Sequence, residues 1–463
     1  MHAPNKQPVT RWSMNAVTRL MDGHIGARFR VWKVVVMMQV AHVLRKYDPR
    51  EWGGTETAVK RLCDGLRVHE VTSIAYAPRL TGLVRSDPLA GAGHRVKRFN
   101  GIVPVWGIDA EQRRALIAMG GNLISFDLIW QLLREPKIDL IHAHTQNRLG
   151  GTALTIARAR NLPLVASIHG GVLDLPATAK AHLAEPLSGG YEWGKFFGAF
   201  LRSRKVLEQA DAILTCNRNE ARMLREKYPN QRVIVQPHGI PADDYMHDHR
   251  ADALAAFPGI VGKRVLLMVG RIDTVKNQSW VVEQAPCIFQ RYPDTVLVMA
   301  GASTDDAYLA SIQAKIKQLG LQNNIIMTGG LPPQDRRLIG LFQQAVALVL
   351  PSISEPFGLV ILESWACGTP VISSRTSGAS ELIQRGENGW LFDLSDPTGF
   401  HESLHQALTR PEATKRAGQL GRERVRAEYD SVVVAGQVKH LYEELIEQKR
   451  GARVTPRLRE ERA

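Results

Sequence analysis

The chain has 463 residues, of which 44% are hydrophobic and 22% charged; this composition is typical of globular proteins, and the length suits two domains of about 200 residues. No run approaches the roughly 18 apolar residues of a membrane span, and the N-terminus lacks a secretory apolar stretch, so the sequence predicts a cytoplasmic protein. The four cysteines form no C-x-x-C pair, which argues against a disulfide framework and a zinc site.

The net charge of +14 is unevenly distributed. Residues 1–250 hold 35 Lys and Arg against 22 Asp and Glu, whereas residues 251–463 hold 24 against 23. A basic first half favours anionic partners: phosphorylated substrates, an anionic membrane surface or nucleic acid. Because the sequence contains no nucleic-acid recognition motif or aromatic stacking platform, it predicts no nucleic-acid partner.

Short runs rich in Val, Ile and Leu alternate with longer helical patterns along the chain. Such runs are typical of strands buried on both faces of a parallel sheet, with helices crossing between them. The pattern occurs twice and predicts an α/β protein of two doubly wound domains. The predicted strands are 34–40, 71–76, 140–143, 164–168, 212–215 and 233–236 in the first half, and 265–269, 296–300, 325–328, 347–350 and 371–373 in the second.

A cluster of Pro, Gly and polar residues at Pro237–Asp244 marks the break between the domains. We therefore assign residues 1–30 to a basic, poorly ordered extension, 31–245 to the first domain and 246–425 to the second. A last helix at 426–448 and a charged tail at 449–463 follow.

Two glycine-containing segments follow predicted strands, where doubly wound sheets bind ligands. Gly53 and Gly54 precede a helical run and would let phosphate approach the helix N-terminus, although a tight turn explains a glycine pair equally well. Gly270 and Arg271 end the first strand of the second half, with Lys276 five residues further on. These two cations suit a diphosphate, whereas in isolation they would indicate a solvated surface pair.

Glu355 and Glu363 are the only formal charges between Arg337 and Arg375, and both lie in an apolar run. A buried carboxylate needs hydrogen-bond donors, and no Lys, Arg or His lies between these two. We therefore expect the hydroxyl groups of a polyhydroxylated ligand to supply the donors. Pro356 predicts that a helix begins here, with the amides of its first turn facing the ligand. Stabilisation of the helix dipole would explain Glu355 but not Glu363.

Three histidines follow predicted strands of the first half: His142, His144 and His169. The His-x-His pair could bind a metal, but no third ligand has a telling spacing, so the sequence predicts no metal site. His169 precedes a Gly-Gly pair, where the chain can turn sharply. Its imidazole is the best of the three candidates for a hydrogen bond to a ligand hydroxyl or a backbone carbonyl.

The segment 195–205, KFFGAFLRSRK, combines aromatic and basic residues. Helices that lie on membrane surfaces have this composition. An ordinary amphipathic core helix has a similar pattern, and we favour that interpretation from the sequence alone. Binding to an anionic membrane surface is the alternative.

Together these residues resemble the family 4 retaining glycosyltransferases, the glycosyl transferases of group 1. The E-x7-E element of EPFGLVILE, the GRIDTVK segment and the GGTE sequence occur in the family's order, and the resemblance runs from about residue 34 to 445. It implies the GT-B architecture: two Rossmann-like domains face each other across a cleft, the acceptor side first and the nucleotide-sugar side second, and the last helix crosses back to the first domain. The chain departs from the family at residues 377–381, at His238 and at Asn277, none of which has an assigned chemical role.

The resemblance implies a role for each candidate residue. Arg271 and Lys276 would bind the donor diphosphate and help it leave, Glu355 would contact the donor sugar, and Glu363 would hold the nucleotide ribose. The implied catalytic residues are His169, near the transferred sugar, together with Arg271, Lys276 and Glu355. The other donor-binding residues would contribute backbone: Gly53, Gly54, Gly270, Gly330, Leu331, Phe357, Gly358 and Leu359.

The activity implied is that of a hexosyltransferase in glycolipid, polysaccharide or other glycoconjugate biosynthesis. It would move a sugar from a UDP- or GDP-sugar to an acceptor hydroxyl with retention of the anomeric configuration, and a lipid-linked acceptor substrate would place it on the cytoplasmic face of a membrane. The sequence has no D-x-D element for a sugar-nucleotide metal, so no metal or cofactor is predicted. Two alternatives are another GT-B enzyme, such as a sugar-nucleotide epimerase or a phosphorylase, and a non-catalytic binder of sugar nucleotides.

Overall fold

The computed structural model describes residues 37–48, 53–79, 87–109, 112, 113, 116, 123–170, 173 and 191–460, with residues 191, 192, 195 and 452–460 described by their backbone alone. The basic extension expected at 1–30 lies outside these ranges.

The first half of the chain forms a parallel sheet. Its strands, with one short antiparallel pair, are β1 (Gln39–Val43), β2 (Thr72–Pro78), β3 (Arg95–Phe99), β4 (Val105–Trp106), β5 (Leu140–Ala143), β6 (Leu164–Ile168), β7 (Tyr191–Glu192), β8 (Ala212–Thr215) and β9 (Val233–Val235). The order in the parallel sheet is β3-β2-β1-β5-β6-β8-β9, whereas β4 and β7 pair with each other. The direction of winding reverses between β1 and β5, which is where this class of sheet opens a crevice for ligands.

The second half repeats the plan with six parallel strands. They are β10 (Arg264–Val269), β11 (Thr295–Ala300), β12 (Ile325–Gly329), β13 (Ala345–Leu350), β14 (Val371–Ser374) and β15 (Gly389–Phe392). The order β12-β11-β10-β13-β14-β15 places the reversal between β10 and β13. The prediction of two doubly wound α/β sheets is therefore confirmed.

Helices cover both faces of the two sheets. They are α1 (Gly54–Val68), α2 (Pro88–Gly91), α3 (Phe126–Arg134), α4 (Arg148–Ala159), α5 (Lys195–Phe200), α6 (Val206–Gln209), α7 (Arg218–Lys227), α8 (Arg250–Ala256), α9 (Gln278–Arg291), α10 (Asp306–Gln318), α11 (Arg336–Gln344), α12 (Leu359–Ala366), α13 (Ser377–Leu382), α14 (Pro397–Thr409), α15 (Pro411–Arg424) and α16 (Ser431–Glu460). In the described part of the chain, none of them is long and apolar enough to cross a membrane.

The final helix, α16, returns to the first sheet as predicted. Val438, Tyr442 and Leu445 are buried against apolar residues of β1, β5, β6 and α1. Gly65 of α1 allows this close approach, because a Cβ there would lie 2.3 Å from the carbonyl oxygen of Ser431. The helix continues to Glu460 and thus includes most of the segment that the sequence indicated as a charged tail.

Four strands escaped prediction, namely the edge strands β3 and β15 and the short pair β4 and β7, and one predicted strand was displaced. The edge strand β3 carries Arg95, Lys97 and Arg98 and is only partly buried, so it has no continuous apolar run. The short edge strand β15 begins with Gly389. The first strand was predicted at 34–40, of which residues 34–36 lie outside the described ranges. Strand β1 extends to Val43 and includes His42, which is fully buried.

Candidate functional site

Lys276 and Glu355 form an ion pair beside the carboxyl ends of β10 and β13. Nζ of Lys276 donates to Oε2 of Glu355, and only 19% and 15% of the two side chains are exposed. The amide of Ile353 donates to the carbonyl of Val275 at 2.8 Å, which ties the two loops together. The switch point of the second sheet therefore holds a cation and a carboxylate in direct contact.

Gly270 and Arg271 lie next to this ion pair. Gly270 has a φ of 151°, a backbone conformation that L side chains rarely adopt, and the Lys276 side chain packs against it, 3.4 Å from where a Cβ would lie. Arg271 is 61% exposed and its Nη2 lies 3.2 Å from Oδ2 of Asp273. Lys276 and Arg271 thus both lie at the carboxyl end of β10, and the Arg271 side chain is largely exposed to solvent.

The helix after Glu355 begins later than predicted. Pro356 precedes the helix, and its carbonyl accepts from Nδ2 of Asn217 at 2.9 Å. Gly358 is the N-cap with a φ of 95°, a conformation that glycine adopts without strain, and α12 begins at Leu359. Within the described ranges, no hydrogen-bond acceptor meets the amides of Gly358 and Leu359, so they are free for a ligand.

The contacts of Glu363 contradict the expectation that a ligand supplies the hydrogen-bond donors for both carboxylates. Nη2 of Arg61, from α1 of the first domain, donates to Oε1 of Glu363 at 2.7 Å and to the hydroxyl of Tyr245 at 2.9 Å. Both side chains of the ion pair are buried. Glu355 and Glu363 therefore each have a protein cation. The prediction failed because these cations lie far away in the sequence and meet the carboxylates only after folding.

The predicted first-domain glycines face the second domain. A Cβ on Gly54 would lie 3.9 Å from Cδ1 of Leu359, so the start of α1 opposes the start of α12. The amide of Gly53 donates to Oε2 of Glu56 at 3.1 Å and is thus already satisfied. The gap between the two domains at this point is narrow.

Gly330 and Leu331 follow β12, beside the Arg271 loop. A Cβ on Gly330 would lie 2.9 Å from that of Ala302, whose carbonyl accepts from the amide of Ile272 at 2.9 Å. Leu331 is partly buried against the second-domain core, to which Phe357 also belongs. The candidate residues of the second domain are therefore gathered along one edge of its sheet.

His169 lies at the end of β6 in a cluster of imidazoles. Its Nε2 is 2.8 Å from Nδ1 of His144, and its ring stacks on His238 with centroids 5.1 Å apart. The His238 ring packs edge-on against Phe357 of the second domain at 4.9 Å. His169, which the sequence favoured as a ligand contact, is thus connected to the second domain through His238, to which the sequence analysis assigned no chemical role. The boundary where His238 meets Phe357 is called the domain seam below.

His42 is a further member of this cluster that sequence reasoning missed. It pairs in register with His142 across β1 and β5, and its Nδ1 lies 3.0 Å from Nε2 of His144. Ring nitrogens of these three histidines lie within 4.8 Å of one another and could hold a metal ion. The nitrogens of His142 already bond to Tyr442 and Ser167, each at 2.6 Å.

Two family models match consecutive parts of the chain. The model of Glycosyltransferase Family 4 matches residues 52–244, and that of Glycosyl transferases group 1 matches residues 253–424. The chain belongs to the family 4 glycosyltransferases. The first match begins after β1, and residues 245–252 separate it from the second.

The relatives of this chain carry names that refer to different molecules. The chain is 31% identical over 284 residues to a D-inositol 3-phosphate glycosyltransferase of Nocardiopsis dassonvillei, an alignment that covers 59% of this chain and 63% of that protein. It is 28% identical over 347 residues to the glycogen synthase of Mycobacterium tuberculosis, with 73% of this chain and 76% of that protein covered. The chain thus spans less than two thirds of the first of these relatives.

Solved structures share the fold of this chain. Anabaena HepE in complex with UDP-glucose superimposes with a TM-score of 0.64 at 16% identity, over 88% of this chain and 100% of that chain. A sucrose-phosphate synthase from Thermosynechococcus elongatus gives a TM-score of 0.67 at 21% identity, over 89% and 100%. The GT-B architecture implied by the sequence is therefore confirmed.

The first domain also exposes a group of aromatic side chains, here called the aromatic patch. Ring contacts run from Trp106 to Trp193, then to Phe197, and from Phe197 to Phe126 and Phe196. The preferred interpretation of 195–205 as a core helix is wrong, because its helical part is short and two of its phenylalanines are exposed. Phe196 (74%) and Trp106 (64%) of the patch are largely exposed, and so are Phe200 (73%) and Trp130 (59%), which lie on the same two helices as Phe196 and Phe126 and are counted with the patch.

Proposed function

We propose that this glycosyltransferase moves a sugar from a nucleotide diphosphate sugar to an acceptor hydroxyl, with retention of the anomeric configuration. The observation that carries the proposal is the Lys276–Glu355 ion pair, which lies beside Arg271 and the free amides of α12 at the switch point of the second sheet. This combination suits an anionic diphosphate next to a hydroxyl-rich sugar. Because HepE was crystallised with UDP-glucose, UDP-sugars are the first donors to test.

Lys276 and Arg271 would stabilise the charge that develops on the departing diphosphate. Both cations start from the same strand end, and Lys276 is largely shielded from water, where its charge acts more strongly. Preorganised donors of this kind each contribute about 3–4 kcal/mol to transition-state stabilisation. Glu355 would hold Lys276 in place and accept a hydrogen bond from the donor sugar.

Glu363 would bind the nucleotide ribose through a carboxylate that Arg61 and Tyr245 already hold in place. Arg61 donates to Oε1, so the rotamer of Glu363 is set by the first domain before a ligand arrives. A carboxylate can accept from two vicinal hydroxyls, but here one oxygen already has a partner. Binding of the ribose would therefore weaken or share the Arg61 contact.

Retention is proposed to proceed on one face of the sugar. In this step the acceptor oxygen forms a bond to the anomeric carbon while the bond from that carbon to the diphosphate breaks, and a diphosphate oxygen takes the acceptor proton. A double displacement would need a free carboxylate as nucleophile. Glu355 is held by Lys276, which reduces its nucleophilicity. NMR of the product with UDP-α-glucose should show an α-linkage, and a β-linkage would contradict retention.

Turnover of the donor tests the proposed function. Thermal shifts with UDP- and GDP-sugars identify the donor, since ligand at 100 times its Kd stabilises by about 2.7 kcal/mol. Release of nucleoside diphosphate is then measured with inositol 3-phosphate and with an α-glucan as acceptor substrates. Lys276→Ala and Glu355→Ala should each lower kcat by about 10²–10³-fold. Lys315→Ala, which removes a second-domain ion pair with Glu283, is the matched control. Unchanged turnover in Lys276→Ala and Glu355→Ala would refute the site.

We also propose that the aromatic patch docks on an anionic membrane carrying a lipid-linked acceptor substrate. Phe126 and Trp130 lie one turn apart on α3, and Phe196 and Phe200 lie one turn apart on α5. Four exposed cations of the basic half of the chain lie close to these aromatic residues in the sequence: Arg134, Arg202, Arg204 and Lys205. Exposed aromatic rings with flanking cations are suited to the headgroup region.

Flotation with vesicles tests this docking. The full chain should float with phosphatidylglycerol vesicles at low salt and remain unbound with pure phosphatidylcholine. The double variant Phe196→Ser with Phe200→Ser should lose flotation, whereas Val261→Ser, which removes an exposed apolar residue of the second domain, should not. Absence of wild-type flotation at low salt would contradict the proposal.

A further inference from the structure

The start of helix α7 in the first domain bonds to the second domain next to Glu355. Asn217, the N-cap of α7, donates from Nδ2 to the carbonyl oxygen of Pro356 at 2.9 Å, and Asn217 is fully buried. The backbone amide of Arg218 donates to Oε2 of Glu381 on α13 at 3.4 Å. Two consecutive residues of the first domain thus contact the second domain beside the proposed donor site.

The carboxamide of Asn217 makes one bond at each of its ends. Its Oδ1 accepts from the backbone N–H of Glu220 at 2.8 Å, which is the bond that caps α7. Its Nδ2 donates to Pro356. A carboxamide rotated by 180° would turn its oxygen towards the Pro356 carbonyl and its N–H groups towards the Glu220 amide, so both bonds would be lost. The two partners therefore fix the orientation of this side chain.

The loop Glu355–Gly358 is held from both domains. On the second-domain side, the amide of Gly378 donates to the carbonyl of Glu355 at 2.8 Å. A Cβ on Gly378 would lie 2.4 Å from the carbonyl oxygen of Phe357, so α13 packs directly against the loop. On the first-domain side, Asn217 holds the next carbonyl, that of Pro356. Consecutive peptide groups of the loop are therefore fixed by different domains.

Cys216 gives the Pro356 carbonyl a second donor from the first domain. Its Sγ lies 3.6 Å from the Pro356 oxygen. Burial raises the pKa of this thiol to about 12, so the thiol stays protonated and can donate. Because a thiol is a weak donor, the amide of Asn217 makes the stronger of the two bonds.

We infer that Asn217 is a positioning residue that holds the loop Glu355–Gly358 in its donor-binding shape from the opposite domain. The loop carries Glu355, which pairs with Lys276, and it leads into the free amides at the start of α12. A misplacement of about 1 Å in reacting groups can slow a reaction by about 100-fold. The inference rests on the proposed function, because the loop affects turnover only if the donor binds there.

A purely structural role, the capping of α7, is the competing explanation. In that case any residue that caps the helix equally well would replace Asn217. Asp and Ser are about as good as Asn at an N-cap, since both accept from the Glu220 amide. An ionised Asp has no N–H for the Pro356 carbonyl, and Ser is too short to reach it. Asn217→Asp and Asn217→Ser therefore separate capping from positioning.

Steady-state kinetics of the full chain give the first readout, with the donor identified by thermal shift. Asn217→Asp and Asn217→Ser should each lower kcat/KM for the donor on the order of tenfold or more. The matched control is Ser125→Ala, which removes a fully buried first-domain cap that bonds to the amide of Leu128 at 3.0 Å. This control should lower the urea midpoint and keep the kcat/KM of wild type.

A double-mutant cycle with Glu355→Gln tests whether Asn217 acts through the loop. Residues that act as a unit are not additive, so Asn217→Asp should change kcat/KM by less than about threefold when Glu355 is already replaced. A loss of the same size in both backgrounds would overturn the inference, because Asn217 would then act independently of Glu355.

Hydrogen exchange read by mass spectrometry tests the positioning without turnover. The amides of Ile353 and Gly378 flank the loop and are each bonded at 2.8 Å. The peptides that contain them should exchange several-fold faster in Asn217→Asp and Asn217→Ser than in wild type or Ser125→Ala. Wild-type exchange, or wild-type kinetics, in both Asn217 variants would overturn the inference. If wild type turns over no donor but the loop exchanges faster in the variants, the proposed function fails and the positioning of the loop by Asn217 stands.

Discussion

Arg61 and Glu363 form a buried ion pair that joins the two domains, with Nη2 and Oε1 2.7 Å apart. Arg61 lies on α1 of the first domain, and Glu363 lies on α12 of the second domain. The hydroxyl of Tyr245, in the connection between the domains, accepts a second bond from the same guanidinium nitrogen. The contact explains how an acid in an apolar helix is tolerated, and it makes the domain seam sensitive to single substitutions.

Arg61→Ala should destabilise the protein strongly. Removing one partner leaves Glu363 buried without a cation, which costs about 3–5 kcal/mol. Urea unfolding measures the change. Arg232→Ala is the control, because it removes a pair with Glu444 of the same 2.6–2.7 Å length that is 40% and 55% exposed. The control should lose no more than about 1 kcal/mol. Equal losses in the two variants would show that the Arg61 pair is solvated.

Gly65→Ala should destabilise the packing of α16 on the first domain. Its Cβ would lie 2.3 Å from the carbonyl oxygen of Ser431, so the helices must separate, at a cost of about 1–3 kcal/mol. Gly91→Ala is the matched change in open space, since no atom lies within 4 Å of its Cβ. Thermal unfolding of the two variants should differ clearly, and a Tm of Gly65→Ala at or above that of Gly91→Ala would count against the close approach.

Gly54 should tolerate a small side chain and no larger one. Alanine would place its Cβ 3.9 Å from Leu359, an ordinary contact, whereas leucine would fill the gap that the donor must enter. We expect Gly54→Leu to raise KM for the donor on the order of tenfold or more, while Gly54→Ala stays near wild type. Steady-state kinetics measure this, with unfolding curves as the control for stability. An unchanged KM in Gly54→Leu would place the donor elsewhere.

Acid should destabilise the protein through its buried histidines. Burial lowers the pKa of His42 to about 3 and that of His238 to about 4. Below pH 6.5 these histidines bind protons in the unfolded chain, whereas in the folded chain they stay neutral. Stability therefore falls as pH decreases from 6.5 towards 4, by roughly 1 kcal/mol per pH unit for each such histidine. Urea unfolding at pH 7, 6 and 5 measures the slope. His42→Gln should reduce the slope, and an unchanged slope would mean that His42 is not buried neutral.

Some features of the fold could be predicted from local patterns, and others could not. Strands such as β10 and β11 are continuous apolar runs, so burial on both faces identifies them. The edge strand β3 carries Arg95, Lys97 and Arg98, because part of it faces solvent, and no apolar pattern marks it. The start of α12 was misplaced because Pro356 suits a first turn, whereas the chain uses the left-handed Gly358 as the N-cap.

The sequence alone determined the two doubly wound domains, the family resemblance and the strand-end placement of Arg271, Lys276 and Glu355, because these depend on short-range periodicity and on residues close together in the chain. Only the tertiary structure decided which charges meet. Arg61 reaches Glu363, and His42 reaches His144, because parallel strands and packed helices bring distant segments together. The sequence offered hydroxyl groups as the partners of both acids, but a buried carboxylate accepts the nearest cation that folding supplies, whatever its distance along the chain.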